Sequence, residues 1–328
     1  MTRKRKWEWR AAGAVALVVA VGGAWVAFNA SVLRARYAAQ QLAAAPTDED
    51  RARCADKLAA LGTPGFDRLI GFVKSGDEPT RAAAASALDR HLNALPDGDA
   101  RAVAISGAVL DAFPVADDAG KCAILQLVPA ILKRTGGTHA DRCRVVVTDG
   151  LKMPDRDARL AAVRLALHPD VRLRAELVPL LAATEPEVRG ASLFAVAGEG
   201  DLLADEELFK WLHDPDAGVR KVCHDVLVGR DRSDAEIALG RRLAHADARE
   251  RLKLLLDLRY DDDVADPEPW LERLARDPEP AVRAGAARVM AEVATGRKLP
   301  LPAWVGRVAD ADHHPTVRFV AGYYRARP

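Results

Sequence analysis

From residue 47 onwards, apolar residues recur three and four positions apart in short stretches separated by turn residues. The stretches 208–212 and 270–274 show this spacing clearly. Such spacing places the apolar side chains on one stripe of a helix, and that stripe has to be buried against another element. Shorter and longer stretches alternate, so the pattern predicts a repeating unit of short helix, turn, longer helix and turn.

The predicted helices pair along the chain, and Ser233 with Glu236 has the spacing of a capping box at the start of one of them. Glycines at 62 and 136 are predicted to stop helices. The series gives about nine pairs: 31–44 with 48–61, 65–74 with 79–93, 98–113 with 118–134, 139–151 with 155–167, 171–183 with 186–197, 203–213 with 216–229, 234–244 with 247–258, 267–276 with 279–293, and 301–310 with 315–325. Because no linker rich in Pro, Gly or Ser divides 47–328, the sequence predicts one all-α stack.

A basic residue recurs near the start of the longer helices. Successive copies lie roughly 28 to 40 residues apart, a spacing typical of repeat proteins. Most copies follow Pro, Asp or Glu, which suit the first turn of a helix. The clear copies are Val188-Arg189, Val219-Arg220, Val282-Arg283 and Val317-Arg318, and the weaker ones are Arg53, Arg81, Lys121, Arg159 and Arg249.

The segment Asp277–Ala286 carries the pattern Asp-Pro-x-x-x-Val-Arg-x-x-Ala, and Pro179 lies in the shorter helix of an earlier unit. In these features the chain resembles the HEAT-repeat family, including the bacterial HEAT-like repeats related to phycobilin lyases. The resemblance covers 47–328, implies an α-solenoid and is nearly silent on function. It also implies that the recurring arginine supports packing between repeats or caps a neighbouring turn, a role that falls to Arg81, Arg159, Arg189, Arg220, Arg283 and Arg318. Contact with a ligand is the alternative for this arginine.

The N-terminal segment has the composition of a membrane anchor. Residues 11–29 carry no charged side chain, and about 20 apolar residues span the hydrocarbon core of a bilayer as a helix. Lys and Arg are more numerous in 1–10 than in 30–46, which predicts a cytoplasmic N-terminus and an extracytoplasmic repeat domain. The sequence therefore predicts a single-pass membrane protein with a cytoplasmic basic segment (1–10), a transmembrane helix (11–29), a juxtamembrane helix (30–46) and a HEAT-like solenoid (47–328).

A cleaved secretory signal is the competing interpretation of the same segment, and it also exports the repeats. No good cleavage site follows the span, since Phe28-Asn29-Ala30 places a bulky residue where a small one is needed. The span also carries a seam of small residues four positions apart, which permits a homodimer through the transmembrane helix. These residues are Ala12, Ala16, Ala20 and Ala24.

The charge distribution argues against a nucleic-acid-binding solenoid. The chain has 48 Lys and Arg and 47 Asp and Glu residues, for a net charge of +1. Residues 1–46 hold seven of the basic residues and one of the acidic ones, which leaves the repeats with a net charge of −5. A nucleic-acid binder is expected to carry a basic surface. We therefore expect no nucleic-acid partner.

The polar residues form no recognisable catalytic, cofactor or metal motif. The eight histidines lack ligand spacing, and Asp261–Asp263 lacks the glycine of an EF-hand calcium loop. There is no nucleophile elbow, phosphate loop or His-Glu-x-x-His pattern. Four cysteines fall in different predicted helices, without a Cys-x-x-Cys pair, and we expect them to be buried free thiols: Cys54, Cys122, Cys143 and Cys223. We expect no cofactor and no metal.

Trp211, Trp270 and Trp304 lie in short helices of the last few units. Core packing is the ordinary explanation for them, and a partner-facing aromatic patch is the alternative, because Trp is enriched at binding hot spots. The favoured function is a membrane-anchored, non-catalytic scaffold that binds protein partners through its repeats. The alternatives are a chromophore-lyase-like HEAT enzyme and an exported soluble binding protein.

Overall fold

The computed structural model describes residues 30–198, 202–260 and 266–326, and every regular element in these ranges is helical. The prediction of an all-α chain is therefore confirmed for this part of the protein. Contacts divide the chain into two compact units, the first ending at Leu180 and the second beginning at Leu181.

Some of the predicted features lie outside the described residues. These are the basic segment 1–10, the transmembrane helix 11–29 and the acidic turn Asp261–Asp263. Across the described ranges, no helix combines the length and the apolar character needed to cross a membrane. The membrane anchor therefore stays a prediction.

The first unit consists of two layers of helices. The even-numbered helices pack in a row, α2 on α4, α4 on α6 and α6 on α8, and each odd-numbered helix from α3 to α7 packs on the even-numbered helix that follows it. Their bounds are α1 (30–44), α2 (Asp48–Ala59), α3 (Thr63–Ser75), α4 (Glu78–Ala94), α5 (Ala100–Ala112) with a 3₁₀ turn at Phe113–Val115, α6 (Asp118–Thr135), α7 (Ala140–Gly150) and α8 (Arg156–Ala166).

Local chemistry sets the ends of these helices. The carboxylate of Asp117 accepts the N–H of Gly120 at 2.6 Å, and that of Asp155 accepts the N–H of Ala158 at 2.8 Å. These bonds satisfy N–H groups that the first turn of a helix leaves open. Gly136 ends α6 with a φ of 55°, a conformation that glycine adopts without strain. The predicted stop at this glycine is confirmed.

The core of the first unit lies between the two layers. Fully buried side chains there include Leu58, Leu69, Leu88, Leu92, Ile124, Leu125 and Ile131. Alanine at 84 and 87 keeps the buried face of α4 small, so that the neighbouring helices approach closely. The low aromatic content of the chain, 5%, agrees with such close spacing.

The second unit also pairs shorter with longer helices, α10 with α11, α12 with α13, α14 with α15 and α16 with α17. Among the longer ones α9 packs on α11, α13 on α15 and α15 on α17, but α11 and α13 are not packed together in this way. Their bounds are α9 (Pro186–Ala197), α10 (Asp205–Trp211), α11 (Ala217–Gly229), α12 (Asp234–Leu243), α13 (Ala248–Tyr260), α14 (Glu268–Leu274), α15 (Pro280–Arg297), α16 (Ala303–Ala311) and α17 (Pro315–Arg325).

One predicted helix is wrong in type. The stretch 171–183 contains a 3₁₀ helix, Ala175–Ala182, instead of an α-helix. Pro179 lies inside it, and proline lacks the N–H that an α-helix interior requires. Arg172 has a φ of 53°, which breaks the chain's helical path before that segment. The boundary between the two units falls within the 3₁₀ helix.

Candidate functional site

Arginines in the first turn of the longer helices join adjacent repeats of the second unit. Arg189, in α9, donates from Nη1 to the carbonyl oxygens of Ala183 and Thr184, both at 2.9 Å. Its Nε and Nη2 donate to the two carboxylate oxygens of Asp214, at 3.0 and 2.9 Å. Because Asp214 precedes α11, one guanidinium ties the turn of its own repeat to the turn of the next.

Arg251 and Arg283 repeat this arrangement at α13 and α15. Arg251 donates to the carboxylate of Asp277 at 2.6 and 2.9 Å, and Arg283 donates to that of Asp312 at 2.8 and 3.1 Å. Each also donates from Nη1 to carbonyl oxygens six and five residues before it. Both arginine side chains are buried, and the two carboxylates are 5% and 7% exposed. Such planar, bidentate contacts are the strongest that arginine makes.

The sequence pattern placed Arg249 at this position, and that assignment is wrong. Arg249 is exposed, and its backbone N–H caps the turn by donating to Asp247 at 2.9 Å. The pattern depends on a Val directly before the arginine, as in the clear copies. The residue before Arg251 is Glu250, so the pattern does not select Arg251. The signal that would have found Arg251 is the offset of six residues from the turn residue, which is the same in Asp214 to Arg220 and Asp277 to Arg283.

We call the set Arg189, Arg220, Arg251, Arg283 and Arg318 the arginine ladder. Two of its members, Arg220 and Arg318, have no carboxylate partner among the described residues. Arg220 donates from Nη1 to the carbonyl oxygens of Asp214 and Pro215, at 2.7 and 2.9 Å, but the residue in the place of the next aspartate is His245. Arg318, in the last described helix, is exposed and donates to the carbonyl oxygen of Asp312 at 2.5 Å.

The first unit places its recurring basic residues differently. Arg81 donates to the carboxylate of Asp117, the N-cap of α6, at 2.7 Å and to the carbonyl oxygen of Val73 at 3.3 Å. It therefore also links one repeat to the next. Lys121 lies 3.8 Å from Asp118 within its own helix, and Arg159 is half-buried in α8. The bidentate contact to an aspartate of the next turn is described at Arg189, Arg251 and Arg283, which all lie in the second unit.

The ion pairs keep their carboxylates charged. Hydrogen bonds from Arg283 are the main influence on Asp312 and lower its pKa below the ordinary value of 3.8. Burial is the largest single influence on Asp214 and raises its pKa. The hydrogen bonds from Arg189 and from a backbone N–H, together with the nearby positive charges, outweigh that effect and lower the pKa overall.

The three tryptophans occupy different environments. Trp270 and Trp304 are buried, 7% and 4% exposed, and Trp270 stacks at 6.0 Å from Phe209. An indole that is buried in the core is not available to a partner, so core packing accounts for these two. Trp211, the last residue of α10, is half-buried. It alone of the three still offers some indole surface to a partner.

A long groove crosses the first unit where the second helices of three repeats lie side by side. It has a volume of about 990 Å³ and is lined by residues of α4 and α6 and by the start of α8. Four alanines face it, so the helix backbones are reached without bulky side chains in between: Ala82, Ala85, Ala119 and Ala123. The sequence did not reveal this groove, because it depends on which helix faces meet.

The groove is acidic. Five carboxylates line it: Glu78, Asp89, Asp118, Asp155 and Asp157. Its two arginines are already paired, Arg81 with Asp117 at 2.7 Å and Arg90 with Asp56 at 2.7 Å. Two of the carboxylates also have basic neighbours, Asp118 with Lys121 at 3.8 Å and Asp157 with Arg156 at 3.0 Å. The lining still holds more carboxylates than basic side chains, so the groove favours a positively charged ligand.

Cys122 lies at the wall of this groove, and it is only half-buried. The expectation that all four cysteines are buried is therefore wrong for Cys122 and for Cys54, which is also half-buried. Burial is the main cause that raises the pKa of the Cys122 thiol, and the charges of Asp155 and Asp157 raise it further. A thiol in this setting stays protonated at neutral pH and is a poor nucleophile.

Cys143 and Cys223 are buried free thiols, as expected. Burial raises the pKa of each to about 12, and the Sγ of Cys223 donates to the carbonyl oxygen of Leu208 at 3.0 Å. Among the residues that the structure describes, no cluster of three His, Cys, Asp or Glu side chains is arranged to hold a metal ion.

Comparison with known proteins adds little to this description. No protein-family model matches the chain, and no curated protein matches it. Among solved structures, the chain is similar to a crystal structure of an engineered protein from the Northeast Structural Genomics Consortium. That similarity covers 88% of this chain and 87% of the engineered chain, at 18% identity and a TM-score of 0.36. A TM-score this low does not establish a shared fold.

Proposed function

We propose that this protein is a membrane-anchored scaffold that binds a basic polypeptide segment in the groove across α4, α6 and α8. The observation that carries the proposal is the groove itself, open along three successive repeats, floored by alanines and lined by five carboxylates. Repeat proteins typically bind their partners on extended surfaces of this kind. Lys and Arg side chains of a partner would meet the carboxylates, while its backbone or apolar stems contact the alanines.

The architecture that we propose is a HEAT-like α-solenoid of about nine helix pairs. The two-layered packing of successive helices within each unit supports it. The arginine ladder supports it as well, because a repeated side chain makes a repeated contact between neighbouring turns. Residues 11–29 would anchor the solenoid in the membrane, with residues 1–10 cytoplasmic and the repeats on the other side.

The experiment that tests the function is affinity purification of the full chain from detergent-solubilised membranes, with identification of the proteins that co-purify. The groove variant Glu78→Gln/Asp157→Asn removes two exposed carboxylates that line the groove. We expect it to lose the partner that the wild type retains.

The matched control is Asp67→Asn/Asp149→Asn. It removes the same charge from exposed positions of α3 and α7, in the other layer of the same unit. We expect it to retain the partner. Equal binding by the wild type and the groove variant would contradict a role for the groove, and so would equal loss in both variants.

A further inference from the structure

A second cleft, in the second unit, differs from the groove in the sign of its charge. It has a volume of about 880 Å³ and lies between α11 and α12, next to the turns that follow α10 and α12. Four side chains that carry permanent positive charges line it: Arg220, Lys221, Arg241 and Arg242. Three histidines, at 213, 224 and 245, lie beside them, and the lining contains a single carboxylate, Asp234.

Two of these charges form no direct ion pair in the described part of the chain, although the charge of Arg220 is felt by Asp214, the partner of Arg189. Lys221 is paired with Asp225 at 2.8 Å, Arg242 is paired with Asp257, and the ring of His224 lies 3.3 Å from Asp234. In contrast, Arg220 and Arg241 form no ion pair with any described residue. When the carboxylates of Asp225, Asp257 and Asp234 are set against the four permanent positive charges and His224 is neutral, a surplus of about one positive charge remains, which a bound anion would balance.

Arg220 shows what kind of anion fits. In Arg189, Arg251 and Arg283, the Nε and Nη2 groups grip a carboxylate of the following repeat. In Arg220, the carbonyl contacts of Nη1 hold the guanidinium in place, but Nε and Nη2 donate to no described residue. We call the Nε and Nη2 donors together the guanidinium fork. It binds a carboxylate at Arg189, Arg251 and Arg283, and at Arg220 it is open, because neither donor has an acceptor among the described residues.

His245 is the reason that the fork is open. Its Nδ1 accepts the backbone N–H of Asp247 at 3.1 Å, as the carboxylate of Asp277 accepts the N–H of Glu279 at 2.8 Å. The imidazole therefore replaces the aspartate within the turn, but it supplies no negative charge to Arg220. The ring of His213 packs edge-on against it at 5.2 Å, and Nε2 of His213 donates to the carbonyl oxygen of Arg241 at 2.6 Å.

The packing of the helices leaves room for such a ligand. The neighbouring longer helices on either side, α9 with α11 and α13 with α15, pack together, whereas α11 and α13 have no comparable contact. Arg220, the ladder arginine of α11, is also the one that faces His245 where the other turns have an aspartate. The open space and the open guanidinium fork therefore coincide.

We propose that this cleft binds a carboxylate of a ligand, which takes the place of the missing aspartate on the Nε and Nη2 groups of Arg220. Arg241 supplies the second positive charge, and the histidine pair forms the adjoining wall. The carboxylate comes either from a small free acid or from an acidic polypeptide segment. Both present the same planar group to the guanidinium, and the bidentate contact suits that group better than it suits a single oxygen.

The test is calorimetric titration of the purified full chain in detergent at constant ionic strength. The probes are citrate, the peptide acetyl-Glu-Asp-Glu-Asp-amide, its Gln and Asn counterpart, and inorganic phosphate. We expect citrate or the acidic peptide to bind, and the amide peptide to fail. Tighter binding of the peptide assigns the carboxylate to a polypeptide, and tighter binding of citrate assigns it to a free acid. Binding of phosphate as tight as the better carboxylate probe overturns the proposal, and so does the absence of binding by both.

Variants locate the site. Arg220→Gln is expected to weaken binding of the carboxylate probe at least about tenfold, because it removes a charge-assisted bidentate contact. Arg318→Gln removes the same charge at another ladder position that has no carboxylate partner among the described residues, and it should change binding less than about twofold. Equal effects of the two variants would show only a general loss of positive charge.

His245→Asp is a second test that keeps Arg220 in place, so it remains informative if Arg220→Gln disturbs the fold. It introduces the residue that Arg251 and Arg283 meet in the next repeat, in a turn that accepts aspartate at 214, 277 and 312. The new carboxylate should occupy the fork and reduce binding of the probe at least about tenfold. Unchanged binding by this variant would place the carboxylate elsewhere.

Discussion

Each ladder arginine that meets a following aspartate forms an ion pair with little access to water, and the energetics of such pairs are asymmetric. Removing two charges from water costs several kcal/mol per ion, so the pair as a whole adds little net stability. Removing one partner leaves the other charge buried alone, which is strongly destabilising. We therefore expect the ladder to act mainly as a constraint on how adjacent repeats align.

Arg283→Ala is expected to lower the free energy of unfolding by about 3–5 kcal/mol, because the carboxylate of Asp312 would remain only 7% exposed without its partner. Urea denaturation followed by circular dichroism measures this loss. Arg318→Ala is the control, since that side chain is exposed and has no carboxylate partner among the described residues. It should cost less than about 1 kcal/mol, and similar losses in both variants would contradict the role of the buried pair.

The lowered pKa values predict a dependence of stability on pH. Asp214 and Asp312 have folded-state pKa values below the ordinary 3.8, so the unfolded chain binds protons more readily than the folded one. Their contribution to stability is complete above that value and is lost as the pH falls through the folded pKa. Melting temperatures measured between about pH 5 and 2 should fall. Asp312→Asn should start lower at pH 5 and fall less steeply, and an equal slope would count against the linkage.

Single residues also show where sequence reasoning succeeds. The Ser233 hydroxyl accepts the N–H of Glu236 at 3.2 Å and the Glu236 carboxylate accepts the N–H of Ser233 at 2.9 Å, so the predicted capping box is confirmed. A cap is readable because all its partners lie within four residues. Arg251 was missed because its contacts depend on an offset to a turn and on Asp277 in the next repeat, not on its neighbours in sequence.

At the scale of the helices, local signals set the boundaries well, and most predicted ends lie within a few residues of the observed ones. The exception is 171–183, where apolar spacing favours an α-helix, but Arg172 has a φ of 53° and the segment that follows is a 3₁₀ helix containing Pro179. How closely helices approach each other was not predictable. That distance depends on pairs such as Gly240 in α12 and Phe209 in α10, which meet only after folding.

Gly240 is expected to be required for the contact between α10 and α12. A Cβ at this position would lie 2.2 Å from the ring of Phe209, a fully buried side chain. Gly240→Ala should therefore lower the free energy of unfolding by about 1–3 kcal/mol, the usual cost of overpacking. Chemical denaturation of the variant measures it.

Gly322→Ala is the matched control, because a Cβ there meets no atom within 4 Å and the position is helical. Alanine has the higher helix propensity, so this variant should gain about 0.5–1 kcal/mol. A gain in stability at position 240, or an equal loss at both positions, would show that the close approach does not limit the packing.

At the scale of the whole molecule, charge is distributed unevenly in ways that the total of +1 conceals. The first unit carries an acidic groove, and the second carries a basic cleft. Composition revealed the mild acidity of the repeats, but it could not separate these surfaces, because each collects residues from several repeats. Fold class was therefore predictable from periodicity, whereas the sites required the packing of the helices.

The proposed membrane anchor makes a prediction for the full chain. The wild-type protein should remain in the membrane fraction after alkaline carbonate extraction. Val18→Lys/Val21→Lys should release it, because each charge in the centre of the span costs about 2.5–3.5 kcal/mol on insertion. Sequencing of the mature N-terminus provides the control for processing. A start after residue 30 would indicate a cleaved signal and contradict the anchor.

The half-buried thiol of Cys122 makes the acidic groove observable. Cys143 and Cys223 are sealed in the core, so replacing Cys54 with serine would leave one reactive position in the described part of the chain. Its raised pKa makes modification slow enough to follow by mass spectrometry under mildly alkaline conditions. Because Cys122 lines the groove, a partner seated there would shield the sulfur, and the rate of alkylation would report how much of the protein is occupied.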